Sequence, residues 1–279
     1  MWPILSEQTR ANKPDLVHSP AVTEEPPPPE PPEPPEPVAT PPGPPESSPA
    51  PPEPPEASPA PPAADRLRAA WHGRRESDYI FDFATALGWQ ILTCGVYGIY
   101  VLYQLVRRSR DHNLRRIELL DAATAVAWEQ ARARGLADEL QPSFERIAPH
   151  MAVLRAKTTE FRDPTLWAVL AIFVRLVADI VAYVLLDGDL IAHDYAEGAI
   201  ETELSAIYTR LGAPVPVPDP RRLKQPHNYV ARIVVVFLTC GLYLYFWQYD
   251  IMTEGNRHFQ HNWAWEDALA QSVQRLVAA

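Results

Sequence analysis

Phe237 to Asp250 reads FLTCGLYLYFWQYD, and Ile91 to Gln104 reads ILTCGVYGIYVLYQ. The tetrapeptide LTCG therefore occurs twice, each time inside an apolar run and each time followed by spaced aromatics. One register pairs Leu92, Thr93, Cys94, Gly95, Tyr97 and Tyr103 with Leu238, Thr239, Cys240, Gly241, Tyr243 and Tyr249. It continues into polar sequence, matching His112 with His258, Asp121 with Asp267 and Ala122 with Ala268. A match that spans an apolar run and its polar continuation reads as a duplication.

The two runs differ in length. Phe83 to Val106 carries no charge and as a helix would reach ~36 Å, enough for a hydrocarbon core of about 30 Å. Ile233 to Tyr249 is shorter, bounded by Arg232 and Asp250. Between them lies a third apolar segment, with Asp163 as N-cap, Pro164 at the first helical position and a stop at Asp187-Gly188. It carries Arg175 and Asp179 four residues apart on one face, read either as part of an ion path or as a mutually neutralising pair. Aromatics gather toward the C-terminal ends of both repeats, as in an interfacial belt. These features predict an all-α integral membrane protein of the cell (inner or plasma) membrane, multi-pass, with about three transmembrane or re-entrant apolar helices. Thr93, Cys94, Gly95, Thr239, Cys240 and Gly241 are then the small residues that let helices pack or kink at mid-membrane. A fully crossing arrangement and a re-entrant hairpin bent at each Gly both fit.

The motifs TCGVYGIY and TCGLYLYFW resemble the T-x-G-[ILV]-Y signature of bacterial membrane proteins grouped as the domain of unknown function family 4234. The resemblance covers Tyr79 to Ala279 and is carried by the two repeats, the first having Val101 where the second has Trp247. It implies a membrane location and no catalytic residue.

Charge and composition separate a tail from the rest. The formal net charge is −10, and the ten acidic residues between Asp15 and Asp65, with no Lys or Arg between Lys13 and Arg66, account for all of it. Prolines fill 21 of the 37 residues from Pro26 to Pro62, a composition that cannot bury enough apolar surface to fold. This tail reads as a spacer or as a ligand for a proline-binding module. The organisation expected is a disordered acidic tail over 1–75, a first repeat with an amphipathic helix over 76–140, and an amphipathic plus middle apolar helix over 141–187. A polar helix and Pro-rich linker over 188–226 and a second repeat over 227–279 complete it. No basic excess suggests nucleic acid, and no N-terminal stretch reads as a cleavable signal. The expected partners are the lipid bilayer, a second copy of the chain or another membrane protein, and that proline-binding module.

Two amphipathic stripes, Ile117-Leu120-Thr124-Trp128-Ala131 and Phe144-Ile147-Met151-Leu154-Thr158-Phe161, predict paired helices, and Ile200-Leu204-Ile207-Leu211 a third ending at Gly212. Each apolar segment is followed by a histidine motif: His112-Asn113, His193-Asp194, and His258 with His261-Asn262. Glu118, Glu197, Glu201 and Glu266 follow them. His193 and Glu197 share a helix face at a spacing a divalent metal can use. If the three motifs met on one side, His112, His193, Glu197, His258 and His261 would be its candidate ligands. No HExxH, phosphate loop, GxSxG or zinc-finger spacing is present, and Cys94 and Cys240 read as packing residues. The sequence favours a non-enzymatic scaffold without cofactor, with a transport component using Arg175 and Asp179, or a His/Glu metalloenzyme, as alternatives.

Overall fold

The computed structural model describes residues 61–159, 163–219 and 226–278, all within the compact unit Ala57–Ala279. Residues 26–60 of the Pro-rich run and Phe161 fall outside these residues. The described residues form helices: α1 (Ala63–His72), α2 (Arg74–Ser77), α3 (Phe83–Leu92), α4 (Tyr97–Ala133) and α5 (Ala137–Thr159). They continue with α6 (Pro164–Phe173), α7 (Arg175–Arg210), α8 (Tyr229–Leu238) and α9 (Tyr243–Ala278). α1 and α2 lie largely in the stretch read as tail, yet Leu67 and Ala70 are buried in a core cluster with residues of α4 and α9.

The LTCG repeat is a chain reversal. α3 and α8 are each 10 residues long and both end at Thr-Cys-Gly. The Thr93 hydroxyl donates to Trp89 O at 2.7 Å and accepts from Tyr97 N at 2.9 Å, so one side chain closes α3 and opens α4. Thr239 does the same between Val235 O and Tyr243 N. Cys94 and Gly95 then take φ of 49° and 90°, and Cys240 and Gly241 take 48° and 89°. Two consecutive left-handed residues end a helix and turn the chain back. Phe81 stacks under Arg108 and Gln90 neighbours Gly98, which places α3 antiparallel to the start of α4. His227 on Glu254 and Arg232 on Asp250 do so for α8 and α9. Between α6 and α7 the break is the single residue Val174, and the expected cap is present, with the Asp163 side chain accepting from Thr165 N and Leu166 N. The expected stop at Asp187-Gly188 is not there: α7 runs through both residues, so the boundary placed between 187 and 188 falls inside one helix.

The multi-pass expectation is thereby corrected. Among the described residues no helix is long and apolar enough to cross a membrane, because each apolar run is cut by its turn into a helix of ~15 Å and a second piece that continues directly into charged sequence. The predicted all-α integral membrane class, the membrane keywords and the multi-pass localisation fall with it. The Thr-Cys-Gly residues sit at turns rather than at a mid-helix packing contact, with both cysteines exposed.

The starts of α4, α7 and α9 meet around one cavity, and their histidines meet further along, so the three long helices run parallel from the same end. α5 runs back alongside, with Trp128 edge-on to Phe144 and Arg146 paired to Glu203. Two apolar clusters result. One, near the turns, gathers Val101, Leu102, Leu105, Tyr183 and Trp247; the other gathers Leu119, Leu120, Leu154, Ile200, Leu204 and Leu269. Between them the helices carry a buried polar layer.

The turn makes a sharp prediction. A Cβ at Gly241 would meet no heavy atom within 4 Å, so Gly241→Ala tests backbone strain alone. It should cost about 1–2 kcal/mol of unfolding free energy, whereas Cys240→Gly, at a position already strained, should cost nothing or stabilise. Urea titrations of the two variants check this, and equal losses from both would contradict the left-handed turn.

Candidate metal centre

The polar layer arises because polar residues occupy the core stripe. On α4 the buried positions run Leu105, Arg108, His112, Arg115, Arg116, Leu119, a spacing of three and four that keeps them facing the bundle. On α7 the corresponding run is Leu186, Asp189, His193, Glu197, Ile200, and on α9 it is Ile251, Gly255, His258, Asn262, Trp265.

His112, His193, Glu197 and His258 converge, each buried, with their ligand atoms within 4.8 Å of one another. His112 Nε2 lies 3.3 Å from His258 Nε2, and Glu197 places Oε2 3.4 Å from His258 Nε2 and Oε1 3.0 Å from His193 Nε2. A tetrahedral ion with metal–nitrogen distances of about 2.0–2.1 Å has ligand–ligand edges of roughly 3.3–3.4 Å. The 3.3 and 3.4 Å separations match such an edge, and His112 Nε2 to Glu197 Oε1 is wider at 4.0 Å, so the four groups would draw together around an ion.

The surroundings fix the donors. His112 Nδ1 donates to Asp78 Oδ1 at 2.9 Å, since a carboxylate only accepts, and burial pushes the His112 pKa down to about 3. His112 is therefore neutral and turns a lone pair on Nε2 toward the centre. Burial works against ionising Asp78, yet His112 and Arg115 outweigh it and hold the carboxyl well below its ordinary range. His258 is oriented alike, with Nδ1 3.2 Å from Asp194 Oδ1. His193 Nε2 is buried and makes no hydrogen bond, its approach to Glu197 Oε1 being poorly aligned for one. Asn262 Nδ2 donates to Glu197 Oε2 at 2.9 Å and lies 3.1 Å from His258 Nε2, so one amide steadies two of the four groups. Carboxylates that hold the far nitrogen of a histidine are the usual support of metal-binding imidazoles.

Arg116, fully buried, anchors the layer. Its Nε donates to Glu197 Oε1 at 2.7 Å, Nη1 to Glu266 Oε1 at 3.1 Å, and Nη2 to Glu201 Oε1. Burial alone would lower the Arg116 pKa, and Glu197, Glu201 and Glu266 reverse this and raise it. Burial would likewise raise Glu197, but Arg116 beside it brings that carboxyl well below the normal range. Arg115 bridges Asp78 and Glu266 at 2.8 and 2.9 Å. Arg108 serves neutral acceptors instead, Ile251 O and Asn256 Oδ1, and burial pushes its pKa down to about 9. Gly255 leaves room for that guanidinium, since a Cβ there would crowd Arg108 Nη2. The buried carboxyl groups Asp78, Asp194, Glu197, Glu201 and Glu266 outnumber the guanidinium groups of Arg108, Arg115 and Arg116, although burial pushes the Glu266 pKa up and weakens its share of the negative charge. A buried surplus of negative charge calls for a cation.

A cavity of about 30 Å³ adjoins the centre, lined by His112, Asn113, Asp189, His193 and Arg108 among others. That is room for a single water-sized molecule.

Of the sequence candidates, four meet and one does not: His261 is exposed and lies beside Trp265 and Pro216 in a separate surface cavity. Arg175 and Asp179 pair with each other at 2.6 Å near the turns, away from the histidines. Sequence reasoning missed Asp78, Arg115 and Arg116 as parts of the site. The available signal was the interruption of the α4 core stripe by charged residues. A second group, Asp187, His227 and Glu254, sets an imidazole between two carboxylates at 3.0 and 3.7 Å and ties the start of α8 to α7 and α9. Comparison with family models, curated proteins and solved structures gives no match for this chain.

Removing the anchoring cation has a calculable effect. Arg116→Met would leave three buried carboxylates without their shared partner, and breaking a buried ion pair on one side costs about 3–5 kcal/mol. Urea unfolding of Arg116→Met should show a loss of that size, and a loss indistinguishable from zero would mean that the layer is not held as described.

Proposed function

We propose that this chain is a metalloprotein that holds one first-row divalent transition ion at His112, His193, Glu197 and His258, with zinc or ferrous iron best suited. The observation that carries the reading is the convergence of three imidazole nitrogens and a carboxylate at tetrahedral spacing inside a layer rich in negative charge. Imidazole with carboxylate suits zinc and iron better than magnesium or calcium, which prefer oxygen alone. The three histidines come from three parallel helices, so an ion there would also hold the bundle together.

The neighbouring cavity favours a catalytic role. Closed structural sites have no space beside the ion, whereas catalytic sites keep a position for water or substrate. An ion with such a position supplies Lewis acidity and lowers the pKa of water. In this reading Asp78 and Asp194 keep His112 and His258 as Nδ1–H tautomers, and Arg116 with Asn262 holds Glu197 ionised and oriented. Arg108 and Asp189 line the cavity that would take the small ligand. A second reading, a purely structural clamp, is favoured by the presence of four protein donors.

Metal analysis of protein purified without chelators should give close to one ion per chain, and His112→Ala and His258→Ala should each abolish it. Asp78→Asn should weaken affinity about 10–100-fold while leaving the donors in place. Metal-free protein that also fails to take up zinc, cobalt or iron on dialysis would overturn the proposal. The visible spectrum of the cobalt form separates the two readings: azide should shift it if a ligand position is open, and an unchanged spectrum favours the clamp.

A further inference from the structure

A second site lies at the opposite end of the apolar cluster from the metal centre. The starts of α4, α7 and α9, with α3 and α6, border an open cavity of about 430 Å³, within the range of about 300–1,000 Å³ typical of small-molecule sites. Its walls are apolar, with Val96, Ile99, Ala171, Leu176 and Leu244, and the turns at its edge continue into Leu92, Phe173, Leu238 and Leu242, all strongly exposed. Exposed apolar surface gathered beside a cavity marks an interaction or ligand-binding site.

The polar lining is built in detail. Arg175 Nε donates to Asp179 Oδ2 at 2.6 Å and Nη1 to Gly95 O at 3.1 Å, which ties α7 to the first turn. Gly98 makes that position possible, because a Cβ would collide with Arg175 Nη2 and Gln90 Oε1. Gln90 Nε2 donates to Gln248 Oε1 at 2.8 Å, and Gln248 Nε2 to the Tyr183 hydroxyl at 3.0 Å. Asp179 is only 4% exposed, and its Oδ1 is buried without a hydrogen-bond partner. A buried acceptor left unmade costs about 1–3 kcal/mol, so it marks where a ligand's donor belongs. Arg175 already neutralises the Asp179 charge, which removes the attraction for a charged head.

We infer that the cavity between the three turns binds a neutral single-chain amphiphile, its hydroxyl head donating to Asp179 Oδ1 and its hydrocarbon tail lying along the apolar wall toward Leu92, Phe173 and Leu238. Asp179 selects the head by hydrogen bonding, and the rim accommodates chain length without selecting it. This separates the roles of the two intramembrane charges expected from the sequence: Arg175 positions, and Asp179 contacts.

The test measures binding to the full chain by calorimetry, with 1-decanol, decyl methyl ether and decanoate as probes. Decanol should bind one to one and at least ten-fold more tightly than the ether, which keeps the tail but has no donor, and more tightly than decanoate. Asp179→Leu, which removes the acceptor, should erase the preference for decanol over the ether. Val96→Trp, at an exposed position beside the cavity, should weaken all three probes ten-fold or more while circular dichroism shows the helices intact. Equal affinity for alcohol and ether, tighter binding of decanoate, or binding that survives Val96→Trp would each overturn the assignment.

Discussion

Arg116 reaches the centre of the bundle with no exposure to solvent and donates to carboxylates on two other helices, Glu197 and Glu201 of α7 and Glu266 of α9. A guanidinium at that depth is tolerable only if its donors are matched, and the carboxylates are tolerable only with the guanidinium. The arrangement therefore fixes the register of α4 against α7 and α9: sliding any one of them by a turn would leave buried charge unpaired. Apolar packing alone is less exacting, since the clusters above and below consist mainly of interchangeable aliphatic side chains. In this register Glu197 is held ionised at the place where His112, His193 and His258 arrive.

The histidines add a second constraint. With Asp78 and Asp194 holding the Nδ1 atoms of His112 and His258, two Nε2 atoms face each other at 3.3 Å. Asn262 Nδ2, 3.1 Å from His258 Nε2, serves one of these lone pairs, and a cation among them would serve both beside the surrounding carboxylates. The proposed metal ion would fill that role, with the unbonded Nε2 of His193 and a Glu197 oxygen beside it. The duplication is what supplies the symmetry: His112 and His258 occupy equivalent positions 146 residues apart, each on the long helix that follows a Thr-Cys-Gly reversal. The middle segment, unrelated in sequence, contributes His193 and Glu197 from a helix that starts at the same end.

Much of this was legible in the residues. The helical content, the Asp163 cap, the paired stripes of α4 and α5, the stop at Gly212 and the duplication all follow from local periodicity and turn chemistry. The meaning of LTCG did not, because an uninterrupted apolar run gives the same hydropathy whether it crosses a bilayer or folds back on itself. The difference lies in two left-handed residues, and Cys is an uncommon residue in that conformation. Four of the five candidate metal ligands meet because all three long helices run the same way, which spacing along the chain cannot specify. His261 shares the helix of His258 but points to the surface, three residues away and on another face. Arg115 and Arg116 read as flanking charges of an apolar segment until the parallel bundle placed them opposite carboxylates distant in sequence.

X-ray absorption at the metal edge of the natively purified protein tests the central claim most directly. Three imidazoles and one carboxylate predict only nitrogen and oxygen neighbours, at about 2.0–2.1 Å for zinc, with the outer-shell scattering of three rings. Sulfur scattering near 2.3 Å, the signature of cysteine ligation, or imidazole scattering from fewer than two rings would contradict it.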